Sequence, residues 1–371
     1  MNRNKFLTIA ASSLFIAGGT GYLLSDRHSL IRADIKPATS NKSFVEPDER
    51  EILYLASLAP SGHNTQPWLV RYIAPYHWIV CNDKTRWLPA VDPMQRETVL
   101  SIGAFLQNLE YAAGHAGYNC QFNMMAVTNQ DEDVVEVKLT KSAIRIDYDI
   151  AEIEKRRTVR SNYLNQALTN EDVIYLLQEE KDFFQYIPNN TTEYHYLNEK
   201  TIEANRIQAY RDDAENELSR WIRFSGKDAR KYCDGLTTAS MEIKGVPAWV
   251  VRNFYNKASV MKNNFRDKNI ENVIKQVSQS AGWVLITSKD NMTSTLLETG
   301  KRMQRLFLKV RRRGVAMHPM TQALEEPMIK KNLAHSIGIT GHIQFILRIG
   351  YVKNYPDVVS LRRSVDSFVR K

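Results

Sequence analysis

Cysteine is scarce in this chain. Its 371 residues include 3, Cys81, Cys120 and Cys233, widely spaced and without a CxxC pair. That argues against a zinc site or a disulfide scaffold and leaves buried free thiols. A single Cys81–Cys120 bridge is the alternative in an oxidising compartment. The 8 histidines are scattered, with no HExxH or similar pair, which argues against a metal enzyme. A continuous basic block is missing too. The net charge is +9, yet no nucleic-acid motif accompanies it. Nucleic acid is therefore not an expected partner, whereas an anionic ligand or membrane surface stays open. The densest cluster, Lys309 to Arg313, continues a helix and reads as a solvated face.

What remains is ordinary globular composition, 43% hydrophobic and 25% charged. The length suits two domains. At the N-terminus, Arg3 and Lys5 precede an uncharged, mostly apolar run from Phe6 to Leu24, followed by Asp26 and Arg27. Nineteen residues lie between a signal-peptide core and a spanning helix. Positive charge before the run places the N-terminus inside and the rest across the membrane. Residues 1–25 thus read as an export segment kept as an anchor, with a cleaved signal as the alternative. Residues 26–45 read as a polar linker.

The most informative stretch is Pro60-Ser61-Gly62-His63-Asn64-Thr65-Gln66-Pro67-Trp68. Before it, Ile52, Leu53, Leu55, Ala56 and Ala59 have helical spacing from Asp48 to Ala59. After it, Trp68 to Ile73 is rich in strand formers. The nonapeptide is therefore a helix-to-strand loop. Ser61 and Gly62 let a ligand approach the backbone, while Asn64 and Gln66 offer donors and acceptors.

A second pattern is internal. Thr98, Gly103, Gln107 and Leu109 align with Thr295, Gly300, Gln304 and Leu306 at a constant offset of 197, which also carries Gly117 onto Gly314. Each segment reads as a long helix ending at a glycine. Each follows an apolar strand, Trp78 to Cys81 and Trp283 to Ile286. Asn198 to Phe224 reads as one long charged helix, and Gly245 to Val251 as an apolar loop.

The nonapeptide resembles the PSxxNxQPW signature of the nitroreductase superfamily, flavoproteins that hold FMN between two subunits. Three further segments are similar to family elements. Arg156-Arg157-Thr158-Val159-Arg160 resembles the RxSxR element that grips the FMN phosphate and ribityl chain. The resemblance implies that Arg156 and Arg160 pair with phosphate and that Thr158 donates a hydroxyl. As bare residues they equally read as a basic helix end complementing its dipole. Gln344 to Tyr351, followed by Arg362-Arg363, resembles the terminal strand and basic pair that also reach the phosphate. Arg313 to Gln322 matches the glycine loop beside the flavin ring, so that Gly314 would offer its backbone there. His318 is a candidate proton donor or a structural histidine.

The resemblance covers roughly residues 45 to 371 and is closest to a fused, exported, Acg-like branch. The N-terminus also looks like a twin-arginine export signal with one arginine replaced by Asn4. The implied fold is α+β: mostly antiparallel sheets with long central helices, in two related halves that mimic the usual homodimer. The halves are 46–150 and 151–371, the second with a helical insertion at about 165–275. The implied cofactor is one FMN per chain, because the first half lacks its own RxSxR element. The cofactor-binding set is Pro60, Ser61, Gly62, Asn64, Gln66, Arg156, Thr158, Arg160, Gly314, Arg362 and Arg363.

The implied activity is oxidoreductase. Hydride would pass from NAD(P)H through the flavin to a small electron acceptor such as a nitro compound or quinone. Exported, the protein would meet little NAD(P)H, so a quinone or partner reductase is an alternative donor. The competing reading is a flavin-sequestering protein whose insertion closes over the ring without turnover. The chain would act as a monomer, touching a membrane only through its N-terminal segment.

Overall fold

The computed structural model describes residues 26, 28–35, 44–143 and 148–371. The expected export segment, residues 1–25, lies outside them. Among the described residues no helix is long and apolar enough to cross a membrane.

The chain is α+β. Among the described residues nine strands form two sheets: β1 (Trp68–Ala74), β2 (His77–Asn82), β3 (Tyr118–Met124), β4 (Asp133–Lys141), β5 (Phe184–Pro188), β6 (Gly282–Ser288), β7 (Val315–Pro319), β8 (His342–Tyr351) and β9 (Val369–Arg370). The first sheet runs β3-β4-β2-β1-β9 and the second β5-β6-β8-β7. Taken from the strand that follows each long helix, the shared part has one order in both: β3-β4-β2-β1 and β7-β8-β6-β5. All of these pairings are antiparallel. The exception is β9, which adds parallel to the edge of β1, Val70 opposite Val369. The last residues of the chain thereby complete the first sheet.

Both long helices form as their spacing predicts. Arg96–His115 ends two residues before Gly117, whose φ is 85°. Thr293–Lys309 tightens into a 3-10 turn, Val310–Arg313, closed by Gly314 at φ 64°. That left-handed conformation suits glycine at a helix end. The two helices cross where each carries a glycine. A Cβ on Gly103 would lie 2.1 Å from Leu297 O, and one on Gly300 would lie 2.1 Å from Leu100 O. Gly103 and Gly300 thus allow the backbones to touch. Beyond the crossing, Gln304 Nε2 donates to Asn108 Oδ1 at 2.7 Å and Arg305 Nη1 to Gln107 Oε1 at 2.7 Å.

Three sequence readings need correction. Asn198–Phe224 is not one helix but two, Thr192–Tyr210 and Asp212–Trp221. Arg211 between them is extended (φ −92°, ψ 109°), and its guanidinium binds Glu326 at 2.8 Å and Ala90 O at 2.9 Å. The tertiary contacts hold the backbone out of the helical region. Gly245–Val251 is no loop: it opens the helix Gly245–Phe254. Pro247 sits in the first turn, where a missing N–H costs nothing. Nor are residues 28–35 a free linker, since Leu30 is buried against Ala229 and Leu361. The cysteines are free thiols, with Cys81 buried and Cys120 and Cys233 half-buried, so the bridge alternative falls.

Candidate functional site

The loop between the Pro47–Ser57 helix and β1 is held in an unusual path. His63, Asn64 and Gln66 have φ of 46°, 54° and 55°. Non-glycine residues adopt that region only when their surroundings fix them. Here Ser61 Oγ accepts from Gln66 N at 2.9 Å. Asn64 Nδ2 donates to Gly235 O (3.1 Å) and Leu361 O (3.2 Å). Gln66 Nε2 donates to Cys233 O at 3.0 Å, and Gln66 Oε1 accepts from Arg363 N at 3.0 Å. Gly62 packs close to Leu88 and Glu97, since a Cβ there would lie 3.2 Å from Leu88 Cδ1 and 3.5 Å from Glu97 Oε2. Pro60 is half-buried at the loop's entrance.

Against this loop comes the basic segment after the Ile150–Lys155 helix. Arg156 Nη2 donates to Leu58 O at 3.0 Å, and its guanidinium lies 5.0 Å from the Phe307 ring centre. Arg362 reaches the same place from the far end of the chain. Its Nη2 donates to Leu58 O (3.1 Å) and Ala59 O (3.0 Å), and its Nη1 to Asn64 Oδ1 (2.8 Å). A third guanidinium joins them. Arg32 donates to the Glu154 carbonyl and is an electrostatic neighbour of both.

Burial, then Arg32, pulls Arg156 down to about 10. Burial, then Arg156 and Arg32, pulls Arg362 well below its ordinary value. Among the described residues, none of the three forms an ion pair with a carboxylate. Arg362 Nε is buried without a hydrogen-bond partner. Two buried guanidinium groups with a third, half-buried one beside them are unfavourable unless an anion completes them.

The remaining expected residues divide. Thr158 is half-buried between the two arginines of its segment. Arg160 donates through Nη1 to Ser240 O at 2.8 Å, and its N–H donates to Glu242 Oε1 at 3.0 Å. It neighbours His63 and His318 rather than Arg156. Arg363 turns away from the cluster. It clamps the start of β1 through Gln66 O (2.7 Å) and Trp68 O (2.8 Å) and faces Asp83 at 3.9 Å. Gly314 caps its helix, and its carbonyl accepts from Val352 N at 3.1 Å. Its recorded bonds join it to none of the other expected residues.

His318 and His63 share an environment. Burial drives His318 far below its ordinary value, helped by Arg348 and Arg160. Burial takes His63 to about 4. Both rings are neutral at pH 7, and the Nδ1 of each is buried without a partner. His318 can therefore offer a proton only as a neutral imidazole. Beside His63 stands a carboxylate group that the sequence did not announce. Glu97 accepts from Thr321 Oγ1 at 2.9 Å, and burial with Glu97 nearby pushes Asp92 up to about 7.

The insertion covers this ground. Glu242 takes Arg157 Nη2 at 2.9 Å and also binds Ser161 Oγ. Beside the basic segment lies a cavity of about 780 Å³, lined by Arg157, Val159, Ser161, Trp249 and Val352 among others. Because extended residues alternate sides, this is the face opposite Arg156, Thr158 and Arg160. Arg32 had no sequence signal beyond its charge in a polar stretch. Among the described residues no cluster could hold a metal ion.

Comparison with known proteins fits this picture. No protein-family model matches the chain. PigM of Serratia, named as a probable NAD(P)H nitroreductase, is 22% identical over 310 residues, 80% of this chain and 86% of that protein. The acg protein of Mycobacterium tuberculosis, named as a candidate NAD(P)H nitroreductase, is 42% identical over 69 residues, 18% of this chain and 20% of its own. Among solved structures, the FMN-dependent nitroreductase NfnB from Mycobacterium smegmatis, in complex with NADPH, gives a TM-score of 0.37 at 14% identity. It covers 60% of this chain and 99% of that one. A candidate nitroreductase from Anabaena variabilis gives 0.36 at 12%, covering 84% and 90%. The chain is thus similar over most of its length to a protein named as a probable NAD(P)H nitroreductase.

Proposed function

We propose that this chain is an FMN-dependent oxidoreductase of the nitroreductase type, with one flavin site shared between its two halves. The observation that carries the reading is the cluster of Arg156 and Arg362 against the Pro60–Trp68 loop with Arg32 beside them, three guanidinium groups without a carboxylate partner among the described residues. Its charge and donor geometry suit a phosphate monoester. The residues of this chain bind and orient. Arg156 and Arg362 would hold phosphate, Thr158 would donate a hydroxyl to the adjoining chain, and Asn64 fixes Arg362 at 2.8 Å. Neutral His63 and His318 keep further positive charge out of the interior. When bound, the flavin supplies the redox chemistry, accepting hydride from NAD(P)H and passing it to a nitro compound or quinone. Equal strand order in the two sheets and the glycine-paired crossing support reading the halves as a fused pair.

The closed insertion favours a second reading, an FMN-sequestering protein with little turnover. Glu242, Ser240, Gly235 and Cys233 all bond to the loop or the basic segment, so the cover is fastened. Anaerobic titration of the FMN-loaded chain with NADPH separates the two. Bleaching of the oxidised flavin band, followed by recovery on adding a quinone, supports turnover. A band that NADPH leaves unchanged supports sequestration. A chain that binds no FMN overturns both.

A further inference from the structure

Asp26 is held against the helix Gly245–Phe254. Its N–H donates to Asn253 Oδ1 at 2.9 Å, and its carbonyl accepts from Asn253 Nδ2 and Arg252 Nε, each at 3.1 Å. Its carboxylate lies 3.6 Å from Arg252 Nε and accepts from Gly226 N, the first residue of the helix Gly226–Tyr232. Residues 24 and 26 are at most about 7 Å apart along the chain. Whatever medium receives the uncharged run Phe6–Leu24 is therefore brought to these two helices.

The helix Gly245–Phe254 is two-faced. Ala248 and Arg252 are buried, while Val246 is 72% and Phe254 64% exposed, with exposed Tyr255 just beyond. Positions 246, 250 and 254 are four apart and form one stripe. Exposed cationic side chains accompany it: Lys244 and Lys257 just beyond its two ends, and Lys227, Arg230 and Lys231 on the helix that Asp26 joins to it. Tyr232, 44% exposed, adds an amphipathic ring at the end of the helix Gly226–Tyr232.

We propose that this apolar stripe and its basic rim rest on an anionic bilayer. The stripe would enter the headgroup–acyl boundary, and the lysines and arginine would meet lipid phosphates. Nineteen uncharged residues are about the number needed to cross the hydrocarbon core, so the run and the stripe would dock on the same membrane. The insertion, which covers the phosphate cluster on one side, would then face lipid on the other.

The test uses the full chain reconstituted in vesicles of phosphatidylcholine and phosphatidylglycerol carrying nitroxide-labelled acyl chains. Environment-sensitive fluorophores are placed at Val246→Cys and Phe254→Cys in a Cys120→Ser, Cys233→Ser background, with Val127→Cys, 85% exposed, as control. Quenching at 246 and 254 should exceed that at 127 by about threefold or more, as for groups at the acyl boundary. Raising the phosphatidylglycerol fraction should strengthen it. Quenching equal to the control overturns the proposal, whether the label is in water or covered by the chain's own residues 6–24. Should either variant fail to fold, Tyr232→Cys on the adjacent helix gives the same decision.

Discussion

Replacing Arg156 with methionine removes one guanidinium from the cluster but keeps an apolar stem over Phe307. In the cofactor-free protein the loss should be small. The carbonyl that Arg156 serves, Leu58 O, still accepts from Arg362 at 3.1 Å. One of two mutually repelling buried charges also disappears, which offsets the lost bond. We expect unfolding stability to change by no more than about 1 kcal/mol, the size of one ordinary hydrogen bond. Flavin binding should respond differently. A charge-assisted hydrogen bond to phosphate contributes about 1.5–3 kcal/mol, so FMN affinity should fall roughly 10- to 150-fold. Riboflavin, which has the ring and ribityl chain but no phosphate, should bind the variant and the natural chain equally. Fluorescence titration of both ligands with both proteins gives the four constants. An equal loss for FMN and riboflavin, or no loss for either, would refute the assignment of Arg156 to phosphate.

Gly103→Ala should destabilise the fold by about 2–4 kcal/mol, beyond ordinary overpacking because its Cβ meets backbone, Leu297 O, at 2.1 Å. A urea titration showing less than about 1 kcal/mol would mean that the helices part easily. Glu215, buried with one oxygen unpartnered, is pushed up to about 7 by burial. Its raised value means that the folded state holds its proton more tightly, so stability from this group is full at low pH and lost as pH rises through 7. Glu215→Gln should therefore stabilise by about 1–3 kcal/mol more at pH 8 than at pH 4, and a pH-independent effect in thermal melts would contradict this. Denaturing release of flavin from the saturated chain should give one FMN per chain, and two would defeat the single-site reading.

Local chemistry was easy to read. Turn formers between a helical run and a strand run marked the Pro60–Trp68 loop, and the structure puts the helix at Pro47–Ser57 and the strand at Trp68–Ala74. The paired glycines of the long helices were visible as a spacing, though their backbone contact was not. Arg156 and Arg362 were legible only through resemblance, since nothing in composition brings residues so far apart together. Two of the misses come from contacts remote in sequence and one from a local ambiguity. Arg211 leaves the helical region because Glu326 and Ala90, remote in sequence, hold its side chain. Arg32 enters the site because Leu30 finds a hydrophobic seat on Leu361. The Gly245–Phe254 helix was hidden because a proline weighs against a helix until its place in the first turn is known. Arg362 and Arg363, which look alike in sequence, part company because one points under the loop and the other along β1.

The return of the C-terminus to the first sheet sets an order in time. Arg362 meets Asn64 across 298 residues of chain, and β9 is formed by residues 369 and 370. At about 5–20 residues per second, a ribosome finishes the loop some 15–60 s before it supplies the arginine that locks it. During that interval the anion site lacks an arm and β1 has an open edge. On the proposed reading, flavin capture would follow the arrival of Arg362, and removing residues 360–371 would take away Arg362 and β9 together. Arg362 and β9 thus tie an early loop and an early sheet to residues that are translated about 300 positions later.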